Sequence, residues 1–228
     1  MLLAQAVGEA AKAAEKEWTF FEIYIKGGGP IGYVIILCSI AMVALAIQFF
    51  IAIRKGTIMP DVVLAQIQAM FDNRQYREAI DLTATEPSFL SHVVHAALAD
   101  AGHGYPAMER AMEEAAEEHT TKLLRTVEWM NVLGNVGPML GLLGTVQGMI
   151  GAFFDIVREK GNINPALLAT NIGIALVTTL WGLFVAIPAL SVYAALRNRI
   201  DSLTSEAMVA AASLIATFRP GGKGAMGA

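Results

Sequence analysis

Charge is scarce in this 228-residue sequence, and the shortage is uneven: 16% of residues are charged, against ~25% in a typical soluble domain. Three stretches, Ile31 to Ile53, about Val132 to Phe154 and about Ile172 to Leu196, hold no Asp, Glu, His, Lys or Arg. Each is long enough to cross a bilayer, for which a helix needs ~20 apolar residues. Cysteine is nearly absent. Cys38 is the only one, so no internal disulfide can form, and it reads as a small apolar filler. A net charge of −4 leaves no basic excess of the kind nucleic acid binding needs. Ser/His/Asp and Cys/His arrangements, phosphate-cradling glycine loops, internal repeats and strand-like alternation are all missing. These absences argue against an enzyme and imply no cofactor, no metal and no nucleic acid partner.

What remains is an all-α membrane protein with three transmembrane helices and long cytoplasmic helical extensions. Arg54 and Lys55 follow the first run, Lys122 and Arg125 precede the second, and Arg197 and Arg199 follow the third. On this threading 11 of the 16 basic residues fall on one side, which the positive-inside rule makes cytoplasmic. The N-terminus then faces outward. It lacks a basic segment followed by an apolar core, so a cleaved signal peptide is not expected.

The chain accordingly divides into an outward-facing amphipathic segment (1–30), a first span (31–53), a cytoplasmic helical region (54–126), a second span (127–154), a short periplasmic loop (155–168), a third span (169–196) and a cytoplasmic extension with a glycine-rich, disordered tail (197–228). Trp18, Phe20, Phe21 and Tyr24 suit headgroup depth, and Gly27-Gly28-Gly29-Pro30 breaks the first segment. Short helices are expected over Met59–Phe71 and Tyr76–Thr83, with a turn and helix start at Glu86-Pro87-Ser88. After Gly102-His103-Gly104 and Pro106 a long helix should run unbroken into the second span.

The second span carries the strongest pattern. Gly134, Gly137, Gly141, Gly144, Gly148 and Gly151 are spaced 3, 4, 3, 4, 3, which gathers them on one seam of a helix. Glycine costs a soluble helix about 1 kcal/mol relative to alanine. In lipid, small residues let helices approach closely, so the seam is a packing surface. Beside it, at ~100° per residue, lie Asn131, Asn135, Pro138, Leu142, Thr145 and Met149. The third span has a comparable small and polar face: Asn171, Ala175, Thr178, Gly182, Ala186, Ala189 and Tyr193, bordered by Thr179. A single threonine in a membrane helix can simply bond the preceding turn's carbonyl and fill space. Two such stripes together suggest a lined interior. Because intramembrane proton and ion sites use ionisable side chains, a chain without them either moves no ions or borrows the group from a partner.

Other features carry less. Pro138 and Pro188 each remove a backbone hydrogen bond and mark either a fixed kink or a hinge. Gln147 falls opposite the polar stripe, towards an adjacent subunit. His92 and His95 are three apart but have no cysteine with them, and fit helix packing better than metal binding. The acidic run Glu109–Glu118 reads as a solvated helix face.

The stretch Gly137-Pro138-Met139-Leu140-Gly141-Leu142-Leu143-Gly144-Thr145-Val146-Gln147-Gly148-Met149-Ile150 resembles the signature of the MotA/TolQ/ExbB proton-channel family. Ala175-Leu176-Val177-Thr178-Thr179, Gly182 and Ala186-Ile187-Pro188-Ala189 resemble its second hallmark, and three spans resemble the ExbB/TolQ branch. The resemblance implies a homopentamer in a bacterial inner membrane, its second and third spans lining a pore. A dimer of a single-span ExbD/TolR-like partner would sit there and supply the aspartate that protons visit. The resemblance further implies work delivered to a TonB/TolA-like envelope protein. By motif position the family's pore threonines fall on Thr145 and Thr179. Many ExbB-like chains have a glutamate five residues before the second threonine; here that position is Ile174. This departure places the titrating group on the partner. A passive membrane scaffold and an independent channel are the rival readings.

Overall fold

The computed structural model describes residues 29–158 and 165–219. The segment expected to lie on the outer surface, the middle of the loop between the second and third spans, and the terminal tail fall outside them. All the regular structure among the described residues is helical. Seven α-helices follow in order: α1 (Gly29–Ala52), α2 (Lys55–Ile58), α3 (Asp61–Asp72), α4 (Tyr76–Thr85), α5 (Phe89–Ala99), α6 (Tyr105–Arg158) and α7 (Pro165–Ile215). Single 3₁₀ turns occur at Ala101–His103 and Ala216–Phe218. Three helices, α1, α6 and α7, are long and apolar enough to cross a membrane.

Local chemistry explains the breaks. Ser88 caps α5, its Oγ accepting from the Ser91 N–H at 3.2 Å, which satisfies one of the donors a helix start leaves open. Gly104 has φ +89°, a left-handed conformation that suits glycine, and Pro106 sits in the first turn of α6, where its missing N–H costs nothing. From there α6 runs 54 residues without interruption, through Pro138, and α7 runs 51 through Pro188. Neither proline ends its helix.

The chain forms two compact units. One takes in residues 43–132 and 189–219 and packs by conventional burial: Ile67, Leu90, Val93 and Val94 of α3 and α5 are inaccessible, as are Val127 and Met130 of α6 and Leu196, Ile200, Ala207, Ala211 and Ile215 of α7. The buried positions of α7 recur at helical spacing, so one face of this charged helix is apolar. Phe218, in the turn after α7, stands edge-on to Phe71 at 5.7 Å and lies 5.0 Å from Tyr76. Lys55 Nζ donates to Glu206 Oε1 at 2.6 Å, and the carboxylate holds the ammonium's pKa above its usual value.

The other unit takes in residues 29–42 and 133–188 and keeps most of its large apolar side chains on the outside. Met139, Leu142, Phe153, Leu176, Phe184 and Ile187 are each at least 63% exposed, which is what a lipid-facing or subunit-facing surface requires.

Candidate functional site

The glycine seam is the contact surface between α6 and α7. Gly134, Gly137, Gly141 and Gly144 are buried, Gly148 is half-buried and Gly151 is exposed. A Cβ at Gly137 would lie 2.9 Å from the Gly182 carbonyl oxygen, and one at Gly141 would lie 3.0 Å from the Thr179 Cα and 3.1 Å from the Thr178 carbonyl oxygen. At Gly144 it would fall on the Thr178 side chain, and at Gly148 it would come within 2.8 Å of the Ala175 Cβ. Only hydrogen fits at these four positions. At Gly151 nothing lies within 4 Å. The small face of the third span therefore meets the seam of the second: Ala175, Thr178, Gly182 and Ala186 are its buried counterparts.

The three threonines occupy different surroundings around this contact. Thr178 is 1% exposed and lies inside it, donating to the Ala175 carbonyl of its own helix at 2.7 Å, with the Gly141 carbonyl at 3.4 Å. Thr179 is half-buried, and its hydroxyl crosses to α6, donating to the Gly141 carbonyl at 3.2 Å. Thr145, one turn beyond Gly141, donates to the Leu142 carbonyl at 2.7 Å and remains half-exposed. Thr145 and Thr179 thus donate to consecutive carbonyls of the same turn of α6. The stripe beside the seam is accessible along its length: Asn135, Leu142 and Met149 are exposed, and Asn131 and Pro138 half-buried.

Two polar clusters escaped sequence reasoning. Helix α6 continues to Arg158, so Asp155 is helical, and Asn171 Nδ2 of α7 donates to its Oδ2 at 2.9 Å. Asp155 prolongs the glycine register by four residues, and that extension was the available signal. At the other end Glu128 accepts from Asn131 Nδ2 at 2.6 Å and from the Tyr193 hydroxyl at 3.0 Å. Asn131 and Asn171, read as lining residues, thus each donate to a carboxylate that helical continuity brings into register.

His92 and His95 do not act together. His95 Nδ1 pairs with the Thr83 hydroxyl at 3.2 Å, while the His92 ring lies tilted by 41° against His119 of α6, with centroids 4.3 Å apart. Among the described residues no group of three His, Cys, Asp or Glu is placed to hold a metal. Burial, and then the nearby His92 and Lys122, push the His119 pKa below the usual imidazole range.

The fold and site define a multi-pass helical membrane protein whose second and third spans join backbone to backbone beside an uncharged polar stripe. Residues 82–208 match the MotA/TolQ/ExbB proton channel family, and the chain belongs to that family, in its ExbB/TolQ-like branch. It is 42% identical over 62 residues to the biopolymer transport protein exbB1 of Vibrio cholerae, a match covering 27% of each chain. It is 27% identical over 184 residues to a putative biopolymer transport protein ExbB homolog of Methanothermobacter thermautotrophicus, covering 80% of this chain and 64% of that one. The matches thus span between about a quarter and two thirds of these relatives' lengths. The fold resembles that in the structure of C. jejuni MotAB, with a TM-score of 0.55 and 19% identity over 95% of this chain and 86% of that one.

Proposed function

We propose that this chain is a stator-like subunit of a bacterial inner-membrane motor. With an ExbD/TolR-like single-span partner, it couples proton flow down the proton motive force to mechanical work on an envelope system. The observation that carries this reading is the pairing of an uncharged span contact with two hydroxyls, Thr145 and Thr179, bonded to the consecutive carbonyls of Leu142 and Gly141. Within the spans there is no carboxylate between Leu133 and Phe154 or between Leu168 and Leu196, so the titrating group must come from elsewhere. Family membership supports a homopentamer with its second and third spans inward, a partner dimer in the pore and a TonB/TolA-like recipient outside the membrane. The N-terminus is then periplasmic and the C-terminus cytoplasmic, consistent with the basic residues around residues 54–55, 122–125 and 197–199.

In the mechanism, protonation neutralises the partner's aspartate and lets it leave the polar stripe for an apolar sector, shifting ring and core relative to each other. Asn131, Asn135 and Asn171 extend the polar path towards the two ends. The gap between Thr145 and Thr179 needs no charge of its own, because the moving carboxyl alternates between charged and neutral forms. The test is the Thr145→Val, Thr179→Val double variant, which keeps shape and removes both hydroxyls. Assembly with the partner should persist while ion-driven work is abolished. Normal driven activity in that variant would reject the assignment in favour of a passive scaffold, which needs the glycine seam and not the hydroxyls. Ion flux in proteoliposomes holding this chain alone would instead support an independent channel.

A further inference from the structure

The neighbouring imidazoles of His92 and His119 border an open-sided cavity of about 200 Å³ that the proposed motor function does not use. Its wall also includes Ala52, Thr57, Phe89 and Lys122. Three side chains of the lining are cationic or can become so, two, Thr57 and Thr126, are hydroxyls, and among the described residues lining the cavity none is a carboxylate. The donors are held ready. His92 Nδ1 is fixed by the Ser88 carbonyl at 2.8 Å, which leaves its Nε2 available, and Lys122 is steadied by Glu118 one turn away at 2.6 Å. Ala52 is the last residue of α1, where the uncharged run gives way to Arg54 and Lys55, so one wall of the cavity is the end of an apolar helix long enough to span a membrane.

We propose that this cavity binds the phosphate of an anionic membrane lipid, with His92, His119 and Lys122 as its donors and the Ala52–Phe89 side against the glycerol and first acyl carbons. Phosphate is favoured over a metal ion on two grounds. Among the described residues no third His, Cys, Asp or Glu is placed to complete a metal site, and an ammonium on the rim opposes a cation. The cavity accommodates a phosphate with its glycerol stub and leaves the acyl chains outside. Without an anion, burial and then the nearby His92 and Lys122 lower the His119 pKa; a bound phosphate opposes that shift and favours the charged ring. The titratable groups at the site are His92 on α5 and His119 with Lys122 on α6, Lys122 carrying Glu118 as its partner. The α1 and α2 residues in the wall contribute none.

The test uses the full chain in a neutral detergent, without any partner protein, so its outcome is independent of the motor reading. Phosphatidylglycerol, phosphatidylcholine and inorganic phosphate are titrated separately, with retained lipid read by native mass spectrometry and the imidazole resonances by NMR. Phosphatidylglycerol should bind saturably and more tightly than phosphatidylcholine, and should tighten as pH is lowered from about 8 to about 6 and His119 becomes easier to charge beside the phosphate. Loss of charge-assisted hydrogen bonds should weaken it about tenfold in His92→Gln, His119→Gln and about as much in Lys122→Gln, an exposed position that tolerates the change. His95→Gln should bind like the parent. Equal binding by parent and variants would overturn the proposal. So would inorganic phosphate binding as tightly as the lipid, which would mark a site for a soluble anion. A third overturning result is Zn²⁺ shifting the imidazole resonances where the lipid does not.

Discussion

Gly141 and Leu90 are both buried, yet they hold their surroundings together in opposite ways. Around Gly141 the neighbours are main-chain atoms of α7, with the Thr179 Cα 3.0 Å from where a Cβ would stand. Leu90 is a full-sized side chain with no exposed surface, in a unit rich in other large buried residues. The difference follows from the solvent. Lipid tails are as apolar as leucine, so burying a large side chain between two spans gains little, and close backbone approach must supply the contact. In the unit of residues 43–132 and 189–219, apolar burial provides the ordinary driving force.

The strongest way to break that comparison is to add volume where the backbone cannot yield. Gly141→Leu should prevent α6 and α7 from packing and leave no monodisperse protein after extraction, as read by size-exclusion chromatography. Leu90→Ala should act by the opposite defect, a cavity, costing about 2–5 kcal/mol in stability. Thermal unfolding of the detergent-solubilised chain would show it as a lowered midpoint with the fold retained.

A smaller effect separates the units by pH. Because His119 is held below the usual imidazole range, the unfolded chain binds its proton more readily than the folded one. Stability should therefore be intact above the ordinary imidazole pKa and decline as pH falls through it. His119→Gln should flatten that decline in lipid-free protein. The smallest effect is expected at Gly151, where the same Gly→Leu change meets open space within the chain. An unchanged elution profile and melting midpoint there would show that the seam's demand for glycine stops at Gly148.

Much of the architecture was legible because it rests on one-dimensional signals. The uncharged run from Ile31 to Ile53 corresponds to α1 over Gly29–Ala52, and the helix expected after Pro106 begins at Tyr105. The glycine register identified a packing surface without saying what packs on it. That α7's small face is its counterpart, with Thr178 inside the contact, depends on the rotation of one helix about the other, which periodicity alone leaves free. The pairings of Asp155 with Asn171 and of Glu128 with Tyr193 were hidden for a related reason. They join residues 16 and 65 positions apart in helices whose ends sequence places only to within a few residues. His92 was visible in the sequence beside the wrong companion, since its ring neighbour His119 lies 27 positions further on.

The hydroxyl protons of Thr145 and Thr179 both point at main-chain oxygens, those of Leu142 and Gly141. Each hydroxyl carries a single hydrogen, so on its remaining side it can offer lone pairs alone. To serve a bare carboxylate, either hydroxyl must first swing its hydrogen away from the main chain. A carboxylate stationed there would compete with two carbonyl oxygens for those hydrogens, and its neutralisation would let them return, so the lining answers to charge by rotation and without a charge of its own.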